Sequence, residues 1–286
     1  MNEVFLGSEA IASGAITRGQ LRSRYRAIFP DVYEPILSAP SLAARTTGAW
    51  LWSKRRGVIT GRAAAAMHGA LWVDDMASIE MLWQNCNPPR GIICRDERFT
   101  HDEVVEIDEM AVTTIQRTAF DLGRHLSRLK AVQHLDALSG ATGLKSEHVL
   151  PLARQYAGAR GVRRLKEALD LMDAGAESPQ ETRTRLVLMD GGFPRPATQI
   201  PVPNDAGTNF YLDMGWEDIM VAVEYDGDHH RADPVRYAKD IARLEELQRR
   251  GWIVIRVIAG HRPAYILYRV RQAWAQRETE ARAAIA

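Results

Sequence analysis

Asp213-Met-Gly-Trp-Glu-Asp-Ile-Met-Val-Ala-Val-Glu224-Tyr-Asp226-Gly-Asp-His-His230 reads as a buried hairpin interrupted by carboxylates. Taking ionised carboxylates out of water is costly unless a cation or a donor network compensates. Side chains alternate along a strand, so Glu224 and Asp226 share one face while Val223 and Tyr225 share the other. Asp213, on the preceding strand, lies within reach across the turn. Three oxygen donors gathered in this way suit Mg²⁺ or Mn²⁺, which prefer carboxylate and water to sulfur. Such an ion can activate a water and stabilise a leaving oxygen, and a histidine at the strand exit, His229 or His230, can act as general acid or base.

Outward from this hairpin the pattern is that of an α/β unit. Ser178-Pro-Gln-Glu181 is a helix start, with serine at the N-cap, proline at the first helical position and glutamate at the third, and the helix stops at Gly191-Gly192. Glu181 serves either as a cap or as an acid of the site. Gln199 to Pro203 reads as a strand, Tyr211 to Gly215 and Ile219 to Asp226 as the hairpin, and Asp233-Pro234 as a new helix start. Trp252 to Ile258 reads as a strand before a last helix. The helix from Pro234 is expected to bury Ile241, Leu244 and Leu247 and to present Arg236, Asp240 and Arg243 on another face, with an arginine there able to hold a phosphate through a two-pronged contact.

The chain has 286 residues, 46% of them hydrophobic, enough for more than one core. The expected division is a winged-helix-like region over 1–75, a mixed strand and helical connector over 76–176, and the α/β unit over 177–286, all within an α/β (α+β) class. Charge is nearly balanced, with 37 Lys and Arg against 36 Asp and Glu, so a basic surface must be local. Between Ile16 and Val73 the only acids are Asp31 and Glu34, against nine arginines and lysines that include Arg18, Arg22 and Arg26. Ser8 to Ile16 and the stretch opened by the capping-box pattern Thr17-Arg-Gly-Gln20 read as two short helices about Gly14. Leu21, Tyr25 and Ile28 would then face a core, Arg18, Arg22 and Arg26 another side, and a wing would begin at Phe29. An ordinary helical hairpin with a solvated arginine face fits the same pattern.

Further on, Leu42 to Arg55 and Thr60 to Gly69 read as helices, the latter placing His68 in a packing or capping role. Ile79 to Trp83, Gly91 to Cys94 and Val104 to Ile107 read as strands, and Arg117 to Asp173 as helices broken near two glycine-rich turns. Cys86 and Cys94 lack zinc spacing and suggest neither a disulfide scaffold nor a structural metal. With no leader pattern and no long apolar run, the expectation is a soluble cytoplasmic protein with no membrane partner.

Glu224-Tyr-Asp-Gly-Asp-His-His230, Asp240-Ile-Ala-Arg243 and Gly251-Trp252-Ile-Val-Ile-Arg256, with Ser178 to Glu181, Gln199 to Val202 and Leu212-Asp213, occur in an order that resembles the nuclease-like domain related to very-short-patch repair endonucleases, within the PD-(D/E)xK superfamily. The resemblance implies a restriction-endonuclease-like fold, a mixed central sheet flanked by helices. It also implies that Asp213 and Glu224 bind the catalytic metal, that Glu181 assists, and that His230 lies near the scissile phosphate. Asp226 stands where the superfamily's general pattern has lysine, which leaves His230 or the metal itself to activate water.

Residues 10–33, with Gly61-Arg-Ala-Ala-Ala-Ala-Met-His-Gly69 and Arg117-Thr-Ala-Phe-Asp-Leu122, resemble the AbiEi-type antitoxin architecture, whose N-terminal winged helix binds operator DNA. Two functions follow as expectations. One is a metal-dependent DNA endonuclease of repair or defence, using Arg18, Arg22, Arg26 and Arg243 on phosphates. The other is a non-catalytic DNA-binding regulator or antitoxin, partnered by a toxin or by a repair or defence protein.

Overall fold

The computed structural model describes residues 4–85, 87–227 and 234–285, with side chains for 239–283 of the last span. His230 lies outside the described residues, as do Asp228, His229, Asp233 and Cys86, and so does the side chain of Arg236. The class is α+β, and the chain divides into two units, Met1–Met172 and Asp173–Ala286.

In the first unit β1 (Phe5–Leu6) leads into α1 (Gly7–Ala12) and α2 (Arg18–Arg24). The expected capping box opens α2: the Thr17 hydroxyl accepts from the Gln20 N–H at 3.2 Å, and the Gln20 side-chain Oε1 accepts from the Thr17 N–H at 2.8 Å. The helix is shorter than its spacing of apolar residues suggests. Tyr25 and Ile28 belong to β2 (Tyr25–Phe29), which pairs with β3 (Val32–Pro35), and β1 adds to the far side of β3. Asp31, at φ 62°, makes the tight turn between them. The aromatic and apolar run that follows Arg24 has a partner strand two residues beyond its end, and that pairing overrides the helical period.

α3 (Leu42–Trp52), capped by Ser41, is followed by β4 (Val58–Thr60) and α4 (Gly61–Met67), whose Ala63 and Ala64 are fully buried. His68 closes α4 and its Nε2 lies 2.8 Å from the Thr113 carbonyl oxygen, the packing role expected of it. β5 (Ile79–Leu82), β6 (Ile92–Arg95), β7 (Val104–Ile107) and β8 (Met110–Thr113) complete a mixed five-stranded sheet in the order β6-β5-β4-β8-β7. Of the three residues of β4, the sequence pattern places Thr60 in the following helix and Val58 and Ile59 in no element. They nevertheless sit at the centre, antiparallel to β5 and parallel to β8.

That placement corrects the expected boundary at 75/76. One core joins Val4, Phe29, Val32, Leu42 and Ala49 to Ile79, Met81, Ile92 and Val112, so residues 4–112 form a single hydrophobic cluster. α5 (Ile115–His125), α6 (Arg128–Thr142), α7 (Ser146–Gln155) and α8 (Val162–Leu171) follow as the helical part of the same unit.

The second unit runs α9 (Pro179–Asp190), β9 (Ala197–Pro203), β10 (Asn209–Trp216), β11 (Val221–Asp226), α10 (Pro234–Arg249), β12 (Ile253–Ile258) and α11 (Pro263–Ile285). Its sheet has the order β12-β11-β10-β9, with β9, β10 and β11 antiparallel and β12 parallel to β11. Val221, Val223, Ile255 and Val257 pack with Leu188, Ile266 and Val270 on one face. Ala222 and Val254 belong to a second cluster with Leu247 of α10. Glu224, Asp226 and Arg256 continue the alternation of Ala222 and Val254, which puts them on the α10 face.

Candidate active site

The acids of the hairpin stand on the neighbouring strands β10 and β11 of this second sheet. Asp213 falls between the pairs Leu212↔Ile200 and Met214↔Thr198, and Gln199 opposite it has φ 50°, a left-handed conformation in mid-strand. Such strain in a non-glycine residue persists only where surrounding structure holds it. At this irregularity the Asp213 carboxylate reaches the neighbouring strand, where Oδ2 accepts from the Tyr225 N–H at 2.7 Å. Burial pushes the Asp213 pKa up to about 7, the Glu181 and Glu224 charges add to the rise, and the Tyr225 bond and Arg243 oppose it.

Glu181 is itself buried, 8% exposed, at the third position of α9. Its backbone N–H donates to the Ser178 hydroxyl at 3.1 Å and its Oε2 accepts from the Glu177 N–H at 2.8 Å. Burial raises its pKa. The capping role and the proximity to Asp213 therefore coexist in one side chain.

Glu224 is 7% exposed and both of its oxygens are held by one guanidinium. Arg243 Nη1 lies 3.0 Å from Oε2, and Nη2 donates to Oε1 and, at 2.9 Å, to the Tyr211 carbonyl oxygen. Asp226, two residue pairs further along, meets Arg256 at 3.0 Å, and the same guanidinium reaches Asp240 of α10 at 2.7 Å. α10 is thus rolled from its expected orientation: Asp240 and Arg243 face the acidic sheet, Leu247 is fully buried, and Ile241 is 41% exposed. Glu224 on the sheet draws Arg243 inward and Arg256 draws Asp240, against the apolar stripe expected from sequence.

A divalent cation suits this donor set in chemistry, since all of its members are carboxylates. These carboxylates are nonetheless already engaged. Among the described residues, the one group of three metal-ligating atoms lying within 4.8 Å of one another is Glu97, Asp121 and His125 in the first unit, not Asp213, Glu224 and Asp226.

That other cluster is an ion-pair network filled by its own guanidiniums. Arg117, 1% exposed, binds Asp121 at 3.0 Å and Glu103 at 2.5 Å. Arg124 binds Asp121 at 3.0 Å as well as Glu97, and His125 lies 3.1 Å from Glu97. The Thr60 hydroxyl donates to Asp121 at 2.8 Å, tying α5 to the central strand β4. The Arg117 to Leu122 motif is accordingly a brace inside the first unit.

The arginines read as a DNA grip separate into two kinds. Arg18 and Arg22 are exposed on α2. Arg26 instead lies on β2, where its Nε donates to Glu34 at 2.8 Å and its Nη2 to the Ser38 carbonyl oxygen at 2.7 Å. Glu34 is 2% exposed, so this guanidinium serves a buried acid of the hairpin, which corrects its place beside Arg18 and Arg22. Arg256 escaped the sequence reading as a site residue. Its strand alternation was visible, but its place beside Glu224 depends on the parallel register of β11 and β12.

No family model matches the chain, and no solved structure matches it. Two curated relatives from Mycobacterium tuberculosis, uncharacterized protein Rv2248 of strain ATCC 25618 / H37Rv and uncharacterized protein MT2308 of strain CDC 1551 / Oshkosh, are each 30% identical over 141 residues, 49% of this chain. The aligned part covers 52% of each, so the chain spans about half the length of the curated relatives it matches.

Proposed function

We propose that the second unit is a metal-dependent DNA endonuclease, hydrolysing phosphodiester bonds with Mg²⁺ or Mn²⁺, and that the first unit contributes DNA binding through Arg18 and Arg22. The observation that carries this reading is that Glu181 of α9 and Glu224 of β11 lie near enough to Asp213 of β10 for their charges to act on it, with a guanidinium on Glu224. Asp213 and Glu224 would hold the ion, with Asp226 within the same acidic face. When bound, the ion supplies an activated water and charge stabilisation at the leaving oxygen. Glu181 keeps the N-terminal turn of α9 closed, and its charge adds to the rise that burial gives the Asp213 pKa. Arg243 has the fork geometry to grip a phosphate oxygen pair. His230 stays a candidate for proton transfer from the resemblance alone.

The test is incubation of the full chain with supercoiled, linear, mismatched and single-stranded DNA and Mg²⁺ or Mn²⁺, beside Asp213→Ala and Glu224→Ala. Cleavage reduced about a hundredfold or more in both variants is expected, the scale at which a transition-state electrostatic partner is lost. Equal cutting by all three proteins, or no cutting and no metal binding by any, removes the reading. The capture of both Glu224 oxygens by Arg243 and of Asp226 by Arg256 favours a second reading, a DNA-binding regulator or antitoxin whose second unit is an interaction module. In that case Arg18→Ala and Arg22→Ala weaken a salt-sensitive gel shift while metal has no effect on any property.

A further inference from the structure

Two guanidiniums serve the acidic face, and they are held differently. Arg256 stands on β12 in register with Glu224 and is braced from two sides, by Asp226 at 3.0 Å and Asp240 at 2.7 Å. Arg243 reaches the site from α10 on a long side chain and spends both prongs on one carboxylate. Its remaining partner is the Tyr211 carbonyl oxygen at 2.9 Å, and its charge centre lies 5.6 Å from the Phe210 ring. A carboxylate whose two oxygens both accept from one guanidinium fork has its best lone pairs directed at that fork. A metal ion that takes those same fork-facing lone pairs competes with Arg243 for Glu224.

We propose that Arg243 is a resident counter-cation that closes the Glu224 subsite and must leave it before a divalent cation binds, carrying its fork over to a phosphodiester of the nucleic acid. This inference rests on the metal-dependent reading above and deepens it. One cation replaces another on Glu224, so no bond or electron is left unaccounted for. The displaced fork is a phosphate ligand in search of a partner, so metal and nucleic acid favour each other's binding. By linkage the factor by which duplex DNA tightens metal binding equals the factor by which metal tightens DNA binding. Arg243 is in this sense a positioning residue, and Arg256, held by two acids, keeps Asp226 and Asp240 in place throughout.

The experiment is a Mn²⁺ titration of the full chain, followed by the electron paramagnetic resonance of free Mn²⁺, for wild type, Arg243→Lys, Arg243→Gln and Glu224→Gln, with folding checked by circular dichroism. Lysine keeps the charge near the site and removes the two-pronged grip, so Arg243→Lys separates exclusion from a general field effect. The expected result is Mn²⁺ binding roughly fivefold or more tighter than wild type in both Arg243 variants, the lower end of ordinary coupling between sites. Glu224→Gln should bind less tightly than wild type.

Equal affinity in wild type and Arg243→Lys overturns the exchange even if Arg243→Gln binds tighter, because that pattern is charge alone. Should Arg243→Gln not fold, the lysine variant decides by itself. If neither Arg243 variant folds, a wild-type titration repeated with a short DNA duplex decides: tighter Mn²⁺ binding supports the exchange, and unchanged binding overturns it. Absence of Mn²⁺ binding in every folded protein overturns the metal-dependent reading and the exchange with it. Binding that is lost in Glu224→Gln but is indifferent to Arg243 overturns the exchange alone.

Discussion

Arg22 and Arg26 are four positions apart and would lie on one face of a continuous helix, yet they have different tasks. Arg22 is exposed on α2, whereas Arg26 neutralises Glu34 inside the hairpin. Arg26→Ala is expected to lower stability by about 1–3 kcal/mol, the cost of leaving a buried acceptor without its partner. Arg22→Ala should leave the urea midpoint where it is and weaken a DNA gel shift. A reversed pattern, with Arg22→Ala destabilising and Arg26→Ala silent, would show the hairpin pair to be incidental. His134 makes a second residue-scale case. Burial, helped by the nearby Arg62 and Lys130 charges, holds its pKa down at about 4. An unfolded chain protonates histidine near pH 6.5, so the stabilising contribution of the neutral folded form is complete above that pH and is lost as pH falls toward 4. The wild-type melting temperature should therefore drop over this window, and His134→Gln should flatten the drop. Identical pH slopes for the two proteins would refute the assignment.

At the scale of elements, α5 is the clearest example of a helix fixed by charge. Arg117 and Asp121 sit one turn apart on its buried face, and Asp121 also anchors Arg124 and Thr60. Asp121→Ala should cost about 3–5 kcal/mol, because it leaves guanidiniums buried without their partner. Chemical denaturation followed by tryptophan fluorescence measures it, and a loss below about 1 kcal/mol would mean that Glu97 and Glu103 suffice. The caps at Thr17 and Ser178 were legible in the sequence, since each is a matter of residues three apart. The hairpin carrying Asp213 and Glu224 was legible for a similar reason, alternation bounded by a turn. What could not be read depends on remote partners. Tyr25 to Phe29 is strand because β3 lies beside it, and Val58 to Thr60 is strand because β5 and β8 flank it. α10 presents Asp240 and Arg243 inward because Asp226, Arg256 and Glu224 await them, which no helical wheel contains.

For the whole molecule, the division at 172/173 and the shared core of residues 4–112 make a definite statement about fragments. A fragment of residues 1–172 should fold, and one of residues 1–75 should not, since it ends between β4 and its partner β5 and strips the sheet from Val4, Phe29 and Val32. Amide dispersion in a proton–nitrogen correlation spectrum distinguishes the two. A well-dispersed spectrum from residues 1–75 would restore the boundary expected from sequence. In the second unit β12 is the last strand to leave the ribosome, and its pairing with β11 joins Glu224 to Arg256 across more than a whole helix of intervening chain. Parallel pairing of this kind is slow to form, because the loop must close before any contact compensates. During synthesis, then, the acids of β11 are exposed before the arginines of α10 and β12 arrive. A released fragment ending near residue 230 should carry an acidic hairpin without its arginine partners, and its charge repulsion is expected to keep the exposed strand edge from pairing with other copies.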